Sequence, residues 1–119
     1  MAKILVVDDA MFMRNKTSRL LTEIGHQVIE ASNGQEAVNL QKQEQPDLIL
    51  MDITMPVLDG IEALKQMKQN DPSVKVVMVT ALGQKSMVLE ALKAGARDFV
   101  VKPFQADRLL DAVKKQCAQ

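Results

Sequence analysis

Ile4-Leu5-Val6-Val7-Asp8-Asp9 is four apolar residues in unbroken succession, closed by two carboxylates. A strand with one face in water would alternate apolar with polar residues. An unbroken run rich in β-branched side chains is what a strand buried on both faces of a parallel sheet requires. Four further runs, most of them equally continuous, follow along the chain: Val28 to Ala31, Leu48 to Met51, Val74 to Val79 and Phe99 to Val101. The runs start at residues 4, 28, 48, 74 and 99, so successive starts are 24, 20, 26 and 25 residues apart. Each interval holds one helix and two turns, the spacing of repeated βα units.

The intervals read as helices of unequal strength. Met13, Thr17, Leu20, Leu21 and Ile24 make one stripe, with Gly25 as the stop. Ala106, Leu109, Leu110, Val113 and Cys117 make another, whereas Gln35 to Gln43 offers only Ala37, Val38 and Leu40 for burial. Breaks fall at Asn33-Gly34, Pro46-Asp47, Asp59-Gly60, Asp71-Pro72 and Gly95. The pattern predicts an α/β domain of three layers, residues 1–119 as a single unit. Helices cover both faces of a five-stranded parallel sheet through right-handed crossovers.

Composition narrows the function classes. A chain of 119 residues, 47% apolar, fills one compact domain. Fifteen Lys plus Arg balance fifteen Asp plus Glu, and the pI is near 6.6, which argues against direct nucleic-acid binding. One cysteine, Cys117, gives no disulfide framework and suits a reducing cytoplasm, and the single His26 excludes a multi-histidine metal site. The run after Met1-Ala2-Lys3 is too short for a signal peptide or a membrane span. The expectation is a soluble, cytoplasmic, monomeric domain without membrane insertion.

In an open parallel sheet, ligands bind beyond the carboxyl ends of the strands. There the sequence places Asp8 and Asp9, Asp52, Thr80, and Lys102 followed by Pro103. Each has a plain structural reading: Asp9 as a helix cap, Asp52 as a solvated strand end, Thr80 as a β-former, Lys102 as a surface charge. Together they resist it, because three carboxylates on one edge repel one another. Three Asp and one Lys leave a charge of −2, which one divalent cation balances. An oxygen-only donor set points to Mg2+ and not to zinc. With a cation, a lysine and a hydroxyl donor in place, the apparatus is that of phosphoryl transfer to an Asp nucleophile.

The motifs Val6-Val7-Asp8-Asp9, Asp52-Ile53-Thr54-Met55-Pro56-Val57-Leu58-Asp59-Gly60, Val79-Thr80-Ala81, Ala94-Gly95-Ala96 and Val101-Lys102-Pro103-Phe104 stand in order. With them the whole chain resembles the receiver domains of two-component response regulators, above all single-domain CheY-like chemotaxis receivers. The resemblance implies a (βα)5 flavodoxin-like fold with strand order 2-1-3-4-5. It implies Asp52 as phospho-acceptor, and Mg2+ held by Asp9, Asp52 and the Thr54 carbonyl, with Asp8 acting through water. It further implies that Thr80 and Lys102 bind the phosphoryl group, that the Lys102-Pro103 bond is cis, and that Thr80 and Phe99 form the switch. A histidine kinase would be the donor, with a downstream target such as the flagellar motor switch and a phosphatase as further partners. Family members vary at two positions that tune dephosphorylation, here Thr54 and Leu82. Neither carries an amide or carboxylate, so slow self-hydrolysis is expected.

From Met87 to Ala94 six of eight residues are apolar, more than one sheet face needs, so Val88 and its neighbours, with Phe99, are candidates for a partner surface. The alternative output is that of a receiver module belonging to a longer transcription factor or signalling enzyme. A haloacid-dehalogenase-type phosphohydrolase would want a second Asp where Thr54 stands. An FMN carrier would need a phosphate loop where Asp8-Asp9-Ala10-Met11 repels one.

Overall fold

The structure, a computed structural model, describes residues 1–81 and 83–117. Strands and helices alternate: β1 (Lys3–Val7), α1 (Met11–Glu23), β2 (Gln27–Ala31), α2 (Gly34–Glu44), β3 (Leu48–Asp52), α3 (Gly60–Asn70), β4 (Val76–Ala81), α4 (Lys85–Lys93), β5 (Asp98–Lys102) and α5 (Ala106–Cys117). The five strands pair in parallel in the order β2-β1-β3-β4-β5, as the motifs implied.

The continuous apolar runs have a direct structural cause. Successive strand side chains point to opposite faces, and both faces are covered. Leu5, Val7, Ile49 and Met51 pack with Ala37 and Val38 of α2, Leu64 and Met67 of α3, and Val88 and Ala91 of α4. Their neighbours Ile4, Val6, Leu48 and Leu50 pack on the other face with Leu21 of α1 and Leu109, Ala112 and Val113 of α5. Every residue of β3 is buried, so no polar residue is tolerated before its last position, Asp52.

Two helices depart from the sequence reading. In α1 the buried residues are Thr17, Ser18 and Leu21, and Ile24 lies beyond the helix and is exposed. In α2 the short apolar stripe is supplemented by polar anchoring. Asn33, the N-cap, accepts the Glu36 N–H at 2.9 Å, while Glu36 reaches back past it to accept the Ser32 N–H. Buried Gln41 donates to the Met67 carbonyl and accepts from Asn70, tying α2 to α3. β4 also starts and ends two residues later than its apolar run. The Val74 N–H is committed to the Asp71 carbonyl in the preceding turn, and pairing with β5 continues through Thr80 and Ala81. Among the described residues no helix is long and apolar enough to cross a membrane.

Candidate acidic site at the strand ends

Parallel pairing brings the ends of β1, β3, β4 and β5 to one edge. Asp8 follows β1 and is held by its N–H to the Ala31 carbonyl, and Asp52 is the last residue of β3. One carboxylate oxygen from each of Asp8, Asp9 and Asp52 lies within 4.8 Å of the others. Lys102, the last residue of β5, reaches across with Nζ 2.8 Å from Asp8 Oδ2 and 3.2 Å from Asp52 Oδ2. The peptide bond between Lys102 and Pro103 is cis. Asp8 and Asp52 are buried, and Asp9 stands exposed at the rim.

Burial pushes the Asp52 carboxyl above its ordinary value. The Lys102 ammonium pulls it back, the Asp8 carboxylate pushes it up further, and the Thr54 N–H stabilises the anion. Burial would also lower Lys102, but its hydrogen bond to Asp8 and the charges of Asp52 and Asp8 outweigh that and hold it above its usual value. The two shifts have different origins: burial raises Asp52 against the pull of Lys102, whereas the two carboxylates beside it raise Lys102 against its own burial. The donors are all hard oxygens, with one open to solvent, which fits Mg2+ and gives a softer ion no sulfur or nitrogen ligand.

Asp9 does not cap α1. The N-cap is Ala10, without a side-chain hydrogen bond, and it is Asp8 Oδ1 that takes the Ala10 N–H at 2.9 Å. Arg14 adds a support that the sequence did not disclose. Its Nη1 donates to the Asp8 carbonyl at 2.7 Å while Nε pairs with Glu30 at 3.0 Å. An arginine in the first turns of a surface helix carries no mark that separates this role from a solvated one.

Thr80 is buried beside the site, but its hydroxyl is committed elsewhere, 2.6 Å from Gln84 Oε1. The same oxygen accepts the Ala81 N–H at 2.9 Å, and Gln84 Nε2 donates to Thr54 Oγ1 at 2.8 Å. An amide therefore does meet Thr54, brought from a position the sequence reading passed over. No sequence signal marks it: only the structure shows that Gln84 occupies the N-cap position of α4 without capping it, glutamine not being among the residues favoured there. Leu82, the other position expected to tune hydrolysis, lies outside the described residues.

The loop from Asp52 to α3 is packed tightly. Asp59 accepts the Glu62 N–H and starts the helix, and the Gly60 N–H returns to the Ile53 carbonyl at 2.7 Å. Val57 within it has φ +71° and is 80% exposed. A β-branched residue at positive φ is strained, and so exposed a side chain recovers little by packing. The Leu58 N–H donates to the Pro56 carbonyl across it, a γ-turn, so Val57→Gly, which has no Cβ to clash at positive φ, is expected to raise stability by about 1 kcal/mol in urea unfolding. A decrease would show that the valine packs more than its exposure indicates.

The expected partner surface needs correction at Val88. It is 8% exposed and belongs to the core, where α4 turns it towards the sheet. The large apolar residues that α4 presents to solvent are Leu89, 50% exposed, and Leu92, 37% exposed. The excess of apolar residues was real, but a 3.6-residue period divides it between the two faces. Phe99 is half-buried against the α2–α3–α4 side of the core.

Residues 4–114 match the response regulator receiver domain family. The chemotaxis protein CheY of Bacillus subtilis (strain 168) is 54% identical over 114 residues, covering 95% of each chain. Among solved structures, a response regulator receiver domain protein from Clostridium thermocellum superposes with a TM-score of 0.93 at 30% identity, covering 98% of this chain and 94% of that one. The CheX-CheY-BeF3-Mg2+ complex from Borrelia burgdorferi gives a TM-score of 0.92 at 33% identity, over 98% and 90% of the respective chains. An acidic pocket and a lysine at the carboxyl edge of a 2-1-3-4-5 sheet thus coincide with likeness along nearly the whole length. The chain belongs to the response regulator receiver domains of two-component signalling, and within them it is CheY-like and related to chemotaxis.

Proposed function

We propose that this chain is a single-domain phospho-acceptor, residues 1–119, that takes a phosphoryl group onto Asp52 from a histidine kinase and passes the signal on by changing what it binds. The observation that carries this reading is the convergence of Asp8, Asp9 and Asp52 within 4.8 Å around one shared lysine. An Asp52 oxygen attacks the phosphorus, forming an O–P bond as the P–N bond to the donor histidine breaks and its imidazole leaves with the electron pair. Asp8, Asp9, Asp52 and the Thr54 carbonyl are the groups that would hold Mg2+. When bound, Mg2+ supplies the positive charge that lets a phosphoryl group approach carboxylates. Lys102 is already 3.2 Å from Asp52, and it stabilises charge that develops on the transferred oxygens. Thr80, buried next to them, donates its hydroxyl to a phosphoryl oxygen once it leaves Gln84. The only chemistry is on its own Asp52, so the chain is a switch and not a turnover enzyme.

The 54% identity to the Bacillus CheY favours a CheY-like output over that of a receiver in a transcription factor or signalling enzyme. A target such as the flagellar motor switch and a phosphatase complete the proposed cytoplasmic circuit. The Borrelia CheY in complex with CheX shows one such relative held by a second protein.

Thermal and urea unfolding with and without Mg2+ tests the site. Wild type should gain about 2.7 kcal/mol when Mg2+ is at a hundred times its Kd. Asp9→Ala should lose most of that gain. Without metal it should be at least as stable as wild type, by up to about 1 kcal/mol, because Asp9 caps nothing and adds repulsion. A wild type indifferent to Mg2+, together with a clearly less stable Asp9→Ala, would contradict the metal reading.

A further inference from the structure

Gln84 is half-buried, and all of its polar capacity is spent at the site's rim. Its Oε1 receives both the Thr80 hydroxyl at 2.6 Å and the Ala81 N–H at 2.9 Å, and its Nε2 donates to Thr54 Oγ1 at 2.8 Å and lies 3.8 Å from Met87 sulfur. The side chain therefore ties the loop after β4 to the loop after β3 and fixes the direction of the Thr80 hydroxyl. A hydroxyl has one hydrogen to donate. While Gln84 or the Ala81 carbonyl takes it, none remains for an oxygen attached to Asp52.

We propose that Gln84 is a positioning residue that holds Thr80 in its resting orientation, so that breaking the Gln84–Thr80 hydrogen bond is part of the cost of switching. The inference rests on the reading of Asp52 as phospho-acceptor. In the switched state Thr80 exchanges a neutral hydrogen bond for one to a charged oxygen, which is stronger. Gln84 is only partly buried, so the freed carboxamide regains water, and the opposing term is the modest net worth of one hydrogen bond. Such a clamp biases the resting chain towards the off state without touching the reacting atoms. It also makes the strength of the bias depend on residue 84.

The test is titration of the full chain with beryllofluoride in saturating Mg2+, followed by amide NMR shifts, for wild type, Gln84→Ala, Gln84→Met, Thr80→Ala and the Gln84→Ala/Thr80→Ala double variant. Gln84→Ala should bind the phosphoryl mimic about three to ten times more tightly than wild type, the worth of one hydrogen bond net of its exchange with water. Gln84→Met should do the same, since it keeps the bulk and deletes the polar arms. The gain should vanish when Thr80 is already Ala, a dependence that a merely structural role for Gln84 would not produce. Unchanged or weaker binding in both Gln84 variants, or the same gain in the Thr80→Ala background, would overturn the clamp. If wild type itself took up no beryllofluoride, the phospho-acceptor reading would fail and the inference with it.

Discussion

Gly60→Ala is expected to destabilise the chain by about 3 kcal/mol and to displace Asp52. A Cβ on Gly60 would fall on the Asp52 carbonyl oxygen, with the Ile53 Cα 2.8 Å and the Asp52 carbonyl carbon 3.0 Å away. All three are backbone atoms of the strand end that carries the site, so no side chain can swing aside to make room. The Gly60 N–H bond to Ile53, at 2.7 Å, leaves the turn no freedom to shift alone. The cost therefore falls on stability and on the geometry of the carboxylate together. Urea unfolding at several Mg2+ concentrations reads both: a lower midpoint, and a smaller Mg2+-dependent rise than wild type shows. A loss below about 1 kcal/mol with an intact Mg2+ response would mean the loop repacks more cheaply than its contacts indicate.

The sheet was legible because its physical demand is severe. Strands covered on both faces admit no polar residue before their ends, so Ile4 to Val7 and Leu48 to Met51 announce themselves, and Asp8 and Asp52 mark where burial stops. The strand order was legible only through the family motifs, since periodicity does not say which strands are neighbours. The convergence of Asp8, Asp9, Asp52 and Lys102 followed from topology once the strand ends were placed. Val88 was misassigned because composition counts apolar residues while burial depends on the rotation of α4. Gln84, Arg14 and the positive φ of Val57 were hidden for a different reason. Each depends on how loops close in space, and none leaves a pattern along the chain.

The second large effect is at Asp52 itself. Its carboxyl is raised in the folded chain by burial, then held back by Lys102. A raised acid means that the folded chain binds this proton more readily than the unfolded one. Its contribution therefore favours folding at low pH and is lost as pH rises through the folded value. At neutral pH, without metal, the ionised Asp52 thus costs stability. Asp52→Asn removes that cost while Lys102 keeps Asp8 at 2.8 Å. The variant should melt no lower than wild type in the absence of Mg2+, and its stability should depend less on pH between the ordinary and the raised carboxyl values.

Because Asp52→Asn is expected to be fully folded, a loss of chemistry in it cannot be ascribed to unfolding. The measurement that tests the phospho-acceptor assignment most directly is the intact mass of both chains after incubation with Mg2+ and a small phosphodonor such as acetyl phosphate. Wild type should gain one phosphoryl group, in a linkage that alkali or hydroxylamine releases, and Asp52→Asn should gain none. An unmodified wild type across several donors, or equal modification of Asp52→Asn, would contradict the assignment.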